Sequence, residues 1–380
     1  MARVYSCYRL ASTAAALIAF LLVIGQANGA DSAPMYYPPP GATAEWQKIS
    51  PVDAGYDKPK LDEVLNFACQ QRSSGVVIVY RGKILAEGYW NPDDLPADSP
   101  KANAKKARGY EQRILGRDAA GHVIEDVASA QKSISAILCG MAQERNLLKI
   151  SDPVHKHLGQ GWSKAAAEQE AAITIRHLLT MTSGLDEDLK FEAPPGTSWF
   201  YNSTAYARVL MCTAAAAKLD RNELTKQWLT GPLGMADSRW SERPIPAGFD
   251  AKNNVGFATT ARDLARFGVL ILNHGDWNGQ AIIKDKAFLH DALHPSQDLN
   301  PSYGYLWWLN GQPKVMRGRQ LVDGPLIPTA PRDLVAALGA LQRKLYVVPS
   351  QHLVVTRLGD NCPPPDTKLW QLLTAAQISQ

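Results

Sequence analysis

The hydrophobic pattern is clearest between Ser129 and Glu144, where it predicts a buried amphipathic helix. Apolar residues recur there at positions i, i+3, i+4 and i+7, which places them on one helical face. They are Ile134, Ile137, Leu138 and Met141. Helical spacing also predicts helices at residues 60–71, 175–182, 205–218, 222–229, 261–273 and 367–376. The middle of the chain is therefore predicted to be mostly helical.

Short apolar runs bounded by turn residues predict strands near both ends of the chain. The runs 75–80 and 84–90 flank a glycine turn and form a hairpin pattern. Later strands are predicted at residues 303–309, 334–341, 344–348 and 353–358. The early and late strands can share one sheet only if the helical middle leaves the sheet and returns. The predicted class is α/β of the α+β type, an antiparallel sheet flanked by helices with an inserted all-helical lobe.

Residues 1–29 carry the pattern of a secretory signal peptide. Arg3 and Arg9 precede an apolar run that ends near Gly25, and small residues follow it. An uncleaved membrane anchor is the alternative, but the run is short for a full span. The sequence therefore predicts an exported protein, periplasmic or secreted, that keeps no stable membrane anchor after cleavage.

Residues 30–380 are predicted to form one folding unit with two lobes, because a mature chain of about 350 residues exceeds a single simple core. The α/β lobe is expected at about 46–140 and 295–380, and the helical lobe at about 141–294. The polar stretch 91–121 is expected to be a surface excursion. A cleft between the lobes is the expected place for a site.

Charge and cysteine content narrow the possible function classes. The formal net charge is only +4, and Arg3 and Arg9 of the leader contribute two of these charges, so nothing indicates a nucleic-acid partner. Four cysteines remain outside the leader, and their spacing matches no zinc pattern. They are Cys69, Cys139, Cys212 and Cys362. The sequence predicts no metal and no cofactor, and it decides neither a disulfide pairing nor the oligomeric state.

Ser129 and Lys132 at the start of the predicted buried helix are a candidate nucleophile and its base. Residues three apart on a helix are neighbours. Burial disfavours a charged ammonium, so a neutral Lys132 can take the proton of Ser129. The helix N-terminus favours the negative charge that develops in acyl transfer. For this motif alone, a serine N-cap and a lysine that reaches solvent are the favoured interpretation.

Four stretches in a fixed order strengthen the enzymatic interpretation. They read VASAQKS at 127–133, IRHLLTMTSGL at 175–185, PGTSWFYNS at 195–203 and TTARDLARFG at 259–268. Together they resemble the serine β-lactamase and penicillin-binding-protein superfamily, in its class C branch with the related carboxylesterases and the 6-aminohexanoate-dimer hydrolase. The resemblance runs from about Trp46 to the C-terminus and implies a β-lactamase/transpeptidase-like fold.

The resemblance implies roles for residues of the third stretch. In the family a tyrosine from the helical lobe faces the serine and lysine, and the matching residue here is Tyr201. A tyrosine beside a lysine can be held partly as phenolate, and either group can relay the serine proton to the leaving group. Trp199 and Phe200 are expected to wall the substrate pocket, with Ser203 also in contact with substrate.

The family's third motif lies on a strand that borders the cleft, and its match here is Ala337-Leu338-Gly339. A glycine at this place lets substrate approach the strand closely, so Gly339 is expected to contact substrate. By resemblance, the backbone N–H groups of Ser129 and Ala340 form the oxyanion hole.

Two departures from the family pattern bear on the substrate. The second motif ordinarily reads Tyr-x-Asn, but its third residue here is Ser203, and the third motif lacks cationic or hydroxylated side chains at Ala337 and Leu338. Those groups normally hold the amide and carboxylate of a β-lactam, and their loss removes several kcal/mol of polar interaction. The predicted substrate is therefore a small-molecule ester or small amide with an apolar acyl group.

Two alternatives to an exported esterase or amidase stay open. One is a weak β-lactamase or D-alanyl peptidase of the cell wall, and the other is a binding or sensor protein that kept the fold but lost turnover. An α/β-hydrolase is not indicated, because the chain has no Gly-x-Ser-x-Gly. His177 is accordingly interpreted as a structural helix residue.

Overall fold

A computed structural model describes residues 34–40, 45–91, 110–243 and 254–378. The predicted leader, residues 1–29, lies outside the described residues. From Met35 onward the described chain forms one unit by its internal contacts. Within the described ranges, no helix is long and apolar enough to cross a membrane.

Runs of strands and runs of helices follow one another along the described chain. The strands are β1 (Ser73–Tyr80), β2 (Lys83–Tyr89), β3 (Ile114–Arg117), β4 (Val123–Asp126), β5 (Arg239–Glu242), β6 (Val255–Thr259), β7 (Asp276–Trp277), β8 (Gln280–Ala281), β9 (Trp308–Leu309), β10 (Lys314–Arg317), β11 (Gln320–Asp323), β12 (Val335–Gly339), β13 (Arg343–Val348) and β14 (Leu353–Gly359). The α-helices are α1 (Lys58–Gln70), α2 (Gln131–Glu144), α3 (His155–Leu158), α4 (Ala167–Ala171), α5 (Ile175–Leu179), α6 (Ser203–Ala217), α7 (Arg221–Thr225), α8 (Gly231–Leu233), α9 (Ala261–Leu272), α10 (Lys286–Ala292) and α11 (Asp366–Ala376).

The main sheet has six antiparallel strands in the order β2-β1-β14-β13-β12-β9. Strand β1 of the N-terminal hairpin pairs with β14 near the C-terminus, with Val77 opposite Thr356. This pairing of chain ends confirms the predicted α+β fold with an antiparallel sheet.

The alternation of side chains along β1 divides the core in two. Val77 and Val79 point into the larger hydrophobic cluster, which holds α2 and α9, whereas Val76 and Ile78 join the smaller cluster under α1 and α11. Successive residues of a strand face opposite sides of the sheet, so a continuous apolar strand needs helices on both faces. The sheet is therefore a middle layer between two helical layers.

Helix α2 is enclosed on every side. All residues from 131 to 142 are buried, and the helix contacts α6, α10 and β12. Its apolar residues fill the core, while the hydroxyl of Ser133 donates to the carbonyl of Leu306 at 2.8 Å. Because the helix cannot shift without disturbing these layers, the side chains at its N-terminus are held in fixed positions.

The segment 141–294, predicted as the helical lobe, contains more than helices. Strands β5 and β6 lie within it and complete a second sheet in the order β3-β4-β6-β5. Helix α9 also belongs to this segment, but it packs on β1, β13 and β14 of the main sheet. The sequence did not indicate these strands, because they are only four or five residues long and β6 joins the sheet through β4, which is distant in the chain.

One predicted strand is much shorter than expected. Residues 303–309 were predicted as a strand, yet only Trp308–Leu309 forms one, paired with β12, while Tyr303 makes a single bridge to Trp308. Leu306 has a left-handed backbone with φ 59°, and a Cβ at Gly304 would lie 2.1 Å from the carbonyl oxygen of Ala292. The chain turns tightly here, so an extended conformation is not possible before Trp308.

Candidate active site

Ser129 lies in a single 3-10 turn, Ala128–Ala130, directly before α2. It is partly exposed, whereas both neighbouring alanines are buried. Ala128 has a left-handed backbone with φ 51°, and its N–H donates to Oδ1 of Asp126 at 2.8 Å. Non-glycine residues adopt this conformation at an energetic cost and mainly where the surroundings enforce it. The turn thus presents the Ser129 hydroxyl at the protein surface.

Lys132 points at that hydroxyl from inside the protein. Its side chain is only 2% exposed, and its Nζ lies 3.0 Å from Oγ of Ser129 and 3.2 Å from Oγ of Ser203. Burial, with a smaller contribution from the positive charge of Arg243, lowers the pKa of Lys132 to about 7. A large fraction of the amine is therefore neutral near pH 7 and can accept a proton.

Two tyrosine rings enclose the amine of Lys132. Its Nζ lies 4.7 Å from the ring centre of Tyr201 and 4.0 Å from that of Tyr206. Ring faces favour a cation at this distance, but removal of water dominates and the net pKa is lowered. Tyr206 is buried, and its hydroxyl accepts a hydrogen bond from the side-chain amide of Gln131.

The Tyr201 ring lies beside the same serine and lysine, with its centre 4.7 Å from Nζ of Lys132. Burial raises the pKa of Tyr201 far above its usual value, and the interaction of its phenol with Ser129 only partly opposes this. The phenol is therefore neutral near pH 7, which differs from the partial phenolate that the sequence suggested. A neutral phenol beside the nucleophile can donate a proton and then be reprotonated.

The loop that carries Tyr201 is fixed by the next residue, Asn202. As the N-cap of α6, its Oδ1 accepts from the backbone N–H groups of Thr204 and Ala205 at 3.0 and 2.8 Å. Its Nδ2 donates to the carbonyls of Leu185 and Asp186. Asn202 therefore ties the start of α6 to the segment around Leu185 and fixes the backbone that follows Tyr201.

A cluster of charged side chains lies next to the start of α2, which carries Lys132. Arg243 donates from Nε to Asp126 at 2.6 Å and from Nη2 to Gln131 at 3.0 Å, and Arg113 reaches Asp126 at 2.9 Å. Burial opposes ionisation of Asp126, but both arginines outweigh it and lower its pKa. The cluster joins β4, β5 and α2 around Lys132.

The third predicted motif does lie beside the nucleophile turn. Gly339 has an extended backbone, and a Cβ on it would meet the carbonyl oxygen of Val127 at 2.2 Å and the backbone nitrogen of Ala130 at 3.2 Å. Only glycine permits this approach of β12. Ala340 follows directly and is exposed. Its role in an oxyanion hole remains a prediction.

The aromatic residues near Tyr201 differ in part from the expected pocket walls. Trp199 is 6% exposed and packs against Tyr303 and Trp308, with ring centres 5.4 and 6.1 Å apart, so its ring supports the site from within. Trp308 stacks on Tyr201 at 5.7 Å and is partly exposed. Trp308 therefore presents the accessible apolar surface that the sequence assigned to Trp199.

The rim of the site includes the β10–β11 hairpin. Arg319 at its turn lies over the ring of Phe200, with Cζ 4.4 Å from the ring centre, and pairs with Glu192 at 3.1 Å. Phe200 is partly exposed next to Tyr201. The hairpin thus contacts the loop that carries Tyr201.

His177 and two of the cysteines lie in positions that serve the packing of the protein and not the candidate site. The Nδ1 of His177 accepts from the backbone N–H of Thr174 at 3.1 Å and so caps α5. Cys139 and Cys212 are free, fully buried thiols. Within the described ranges, no group of three or more histidine, cysteine or carboxylate side chains is arranged to hold a metal ion.

Sequence reasoning missed three residues around the pair: Tyr206, Arg243 and Trp308. Tyr206 lies on α6 and Arg243 follows β5, and no short motif links either to Ser129. Trp308 follows a second tryptophan, and the pattern alone does not tell which of the two faces the site. These contacts are set by the packing of segments that are distant in the chain.

The chain belongs to the Beta-lactamase family, whose model matches residues 60–361. Among solved structures it is similar to a Bacillus anthracis protein assigned as a 6-aminohexanoate-dimer hydrolase, with 17% identity and TM-score 0.61, covering 88% of this chain and 86% of that one. A Bacteroides dorei protein assigned as a beta-lactamase has 17% identity and TM-score 0.61, with 85% and 100% covered. A Mycobacterium bovis beta-lactamase has 16% identity and TM-score 0.55, with 80% and 93% covered. No curated protein matches the sequence.

Proposed function

We propose that this protein is an exported serine hydrolase that acts through an acyl-enzyme on carboxylic esters or small amides. The observation that carries the proposal is the 3.0 Å contact between Oγ of Ser129 and Nζ of Lys132. Burial lowers the pKa of that amine to about 7. A base with a pKa near the working pH combines the required neutral form with useful basicity. Family membership supports hydrolase chemistry.

In the proposed acylation step, Oγ of Ser129 attacks the substrate carbonyl carbon, and its proton passes to neutral Lys132. The carbonyl oxygen becomes an oxyanion, which accepts hydrogen bonds from the backbone N–H groups of Ser129 and Ala340. The bond to the leaving group then breaks, and the leaving oxygen or nitrogen takes the phenol proton of Tyr201. Lys132 returns its proton to Tyr201, so the base is again neutral.

Deacylation repeats these steps with water as the nucleophile. Tyr201 passes its phenol proton to neutral Lys132 and takes a proton from water as the water attacks the acyl carbon. Lys132 then gives its extra proton to Oγ of Ser129 as the acyl bond breaks. The products are a carboxylic acid and the free enzyme. The same residues thus serve both halves of the reaction, as microscopic reversibility requires.

The polar groups around the site support esters and small amides over β-lactams. Ser203, in the place of the family asparagine, lies 3.2 Å from Lys132 and is engaged with the amine. Ala337 is buried and Leu338 is apolar, so neither can hold a carboxylate. A partly exposed Trp308 favours an apolar acyl group.

Covalent labelling of the mature protein tests this proposal. A fluorophosphonate is expected to add one phosphonyl group to Ser129, found by peptide mass spectrometry, and the protein is expected to hydrolyse p-nitrophenyl butyrate. Ser129→Ala should lose both. The control is Ser133→Ala, because Ser133 is buried on the same helix and bonds only to a backbone carbonyl in the described contacts; it should keep both.

Parallel substrates separate the related activities. Faster hydrolysis of a chromogenic cephalosporin or of a D-alanyl-D-alanine peptide than of esters would contradict the substrate proposal. Labelling without turnover of any substrate in the panel would contradict a hydrolase and favour a sensor.

The pH profile gives a second test, because the reaction needs neutral Lys132. We expect kcat/KM to rise about tenfold per pH unit below pH 7 and to level off above it. Arg243→Met removes a positive charge that disfavours protonation of the amine, so the pKa of Lys132 should increase and the acid limb should move to higher pH. Asp126 keeps Arg113 as a partner in this variant.

The matched control for this shift is Arg239→Met, which replaces an exposed arginine on β5, the strand that ends directly before Arg243. Its profile should coincide with that of the wild type. A profile that is flat between pH 6 and 9, or an acid limb that Arg243→Met does not move, would exclude Lys132 as the titrating base.

A further inference from the structure

A buried ion pair lies beside the candidate active site and is not part of the proposed proton transfers. Nη2 of Arg343 at the start of β13 lies 2.7 Å from Oε2 of Glu125 on β4, and both side chains are 0% exposed. The other carboxylate oxygen, Oε1, accepts from the hydroxyl of Ser74 at 2.5 Å. Both oxygens of Glu125 therefore have fixed partners.

Glu125 is four residues before Ser129, on the strand that leads into the nucleophile turn. The next residue, Asp126, accepts a hydrogen bond from the N–H of Ala128 at 2.8 Å and holds that residue at φ 51°. A displacement of Glu125 would therefore also displace Ser129, because the short segment between them has a fixed backbone.

Arg343 also holds the turn on the opposite side of the site. Its Nη1 donates to the carbonyl of Ala340 at 3.2 Å, while Nη1 of the fully buried Arg357 donates to the carbonyl of Leu341 at 2.7 Å. Leu341 and Gln342 have left-handed backbones, with φ 59° and 61°. Such a turn is costly for residues with a side chain and persists when its surroundings enforce it.

We propose that Arg343 is a positioning residue that sets the distance between the Ala340 N–H and Ser129. One planar guanidinium binds Glu125 on the nucleophile side and the Ala340 carbonyl on the turn side, so it spans the two segments that supply the oxyanion hole. A buried ion pair adds little to stability in comparison with apolar side chains, which makes a geometric role the better account of it. This inference rests on the proposed function, because it needs Ala340 to act on an oxyanion.

The test replaces both charges together, so that no unpaired charge is left in the core. For Glu125→Gln/Arg343→Met we expect kcat for p-nitrophenyl butyrate to fall by about 10- to 100-fold, since small displacements of oxyanion donors have effects of this order. KM should stay within about threefold. The affinity for phenylboronic acid, which forms a tetrahedral adduct with the serine, should fall by the same factor as kcat/KM.

The control is a second buried pair, which is separated from the turn by Arg357, whose Nη2 donates to the carbonyl of Asp360 at 3.0 Å. Arg72 and Asp360 lie 2.7 Å apart with side chains 4% and 0% exposed. Arg72→Met/Asp360→Asn should change the melting temperature by about as much as Glu125→Gln/Arg343→Met does, but it should leave kcat and boronate affinity within about twofold of the wild type. An equal loss of kcat in this control would show that the effect is one of general stability and would overturn the proposal.

Arg343→Lys decides the question if the double variant does not fold. The ammonium can keep the pairing with Glu125, but it lacks the fork that also reaches the Ala340 carbonyl. We expect a folded protein with a reduced kcat and an unchanged KM. A folded Arg343→Lys with wild-type kcat would overturn the positioning role. The outcomes are distinct from failure of the proposed function, because in that case the wild type itself would show no labelling of Ser129.

Discussion

Lys132→Met is expected to lower kcat/KM for esters by at least about 10⁴-fold and at the same time to raise the melting temperature. Loss of a catalytic base has effects of this size in serine hydrolases. The gain in stability follows from burial: the side chain is 2% exposed, and its pKa falls from 10.5 in the free amine to about 7 in the folded protein. Methionine fills a similar volume and has no charge to desolvate.

The pH dependence of this gain follows from proton linkage. Between pH 7 and 10.5 the unfolded chain binds more protons at Lys132 than the folded chain, so stability of the wild type increases with pH in this window. The stability advantage of Lys132→Met should therefore be largest at and below pH 7, where it amounts to several kcal/mol, and should decrease toward pH 10.5. Thermal melts at several pH values measure it.

Lys344→Met is the matched control for this variant. Lys344 is also buried, but it has a carboxylate partner, Asp366, at 3.3 Å. Its replacement leaves that carboxylate without its cation and should lower the melting temperature while turnover is retained. If Lys132→Met instead keeps turnover, or melts below the wild type, a neutral buried base is excluded.

Tyr201→Phe is expected to lower kcat/KM, which reports acylation, by about 10²- to 10³-fold for alkyl esters, because it removes the phenol that donates to the leaving group. The ring remains, so its packing against Trp308 and over Lys132 is preserved. The loss should be much smaller for p-nitrophenyl esters, since p-nitrophenolate leaves without a proton. A comparison of leaving groups with different pKa values therefore isolates the acid role of the phenol.

Tyr206→Phe provides the comparison within the same site. Its ring lies closer to Lys132, at 4.0 Å, but its hydroxyl is bonded to Gln131 and is not assigned a proton transfer. We expect only a modest change in kcat and no dependence on the leaving group. A leaving-group dependence in Tyr206→Phe, or its absence in Tyr201→Phe, would mean that the acid has been assigned to the wrong tyrosine.

The sequence predicted the parts of the site that depend on local spacing. Lys132 follows Ser129 by three residues at the start of one helix. In the structure, Nζ of Lys132 lies 3.0 Å from Oγ of Ser129. The antiparallel sheet followed from apolar runs at both chain ends, because only a returning middle segment lets β1 pair with β14. The bounds of helix α9 and strand β13 differ from the predicted ones by a single residue.

Features that depend on contacts between distant segments were not predictable. Arg243 affects the pKa of Lys132 across space, and nothing in the residues around it indicates this. The burial of Trp199 and the exposure of Trp308 are decided by how two loops pack, since both residues are equally apolar. The neutral state of Tyr201 likewise depends on how completely the surrounding rings exclude water.

The burial of α2 has a consequence for the thermal inactivation of the protein. Its amides lie in the middle of the hydrophobic layers, so no frayed end or loose loop can open them separately. The side chains at the N-terminus of α2 therefore keep their arrangement until the whole cooperative unit unfolds. Inactivation and global denaturation should therefore be a single event, without an intermediate that is folded but inert.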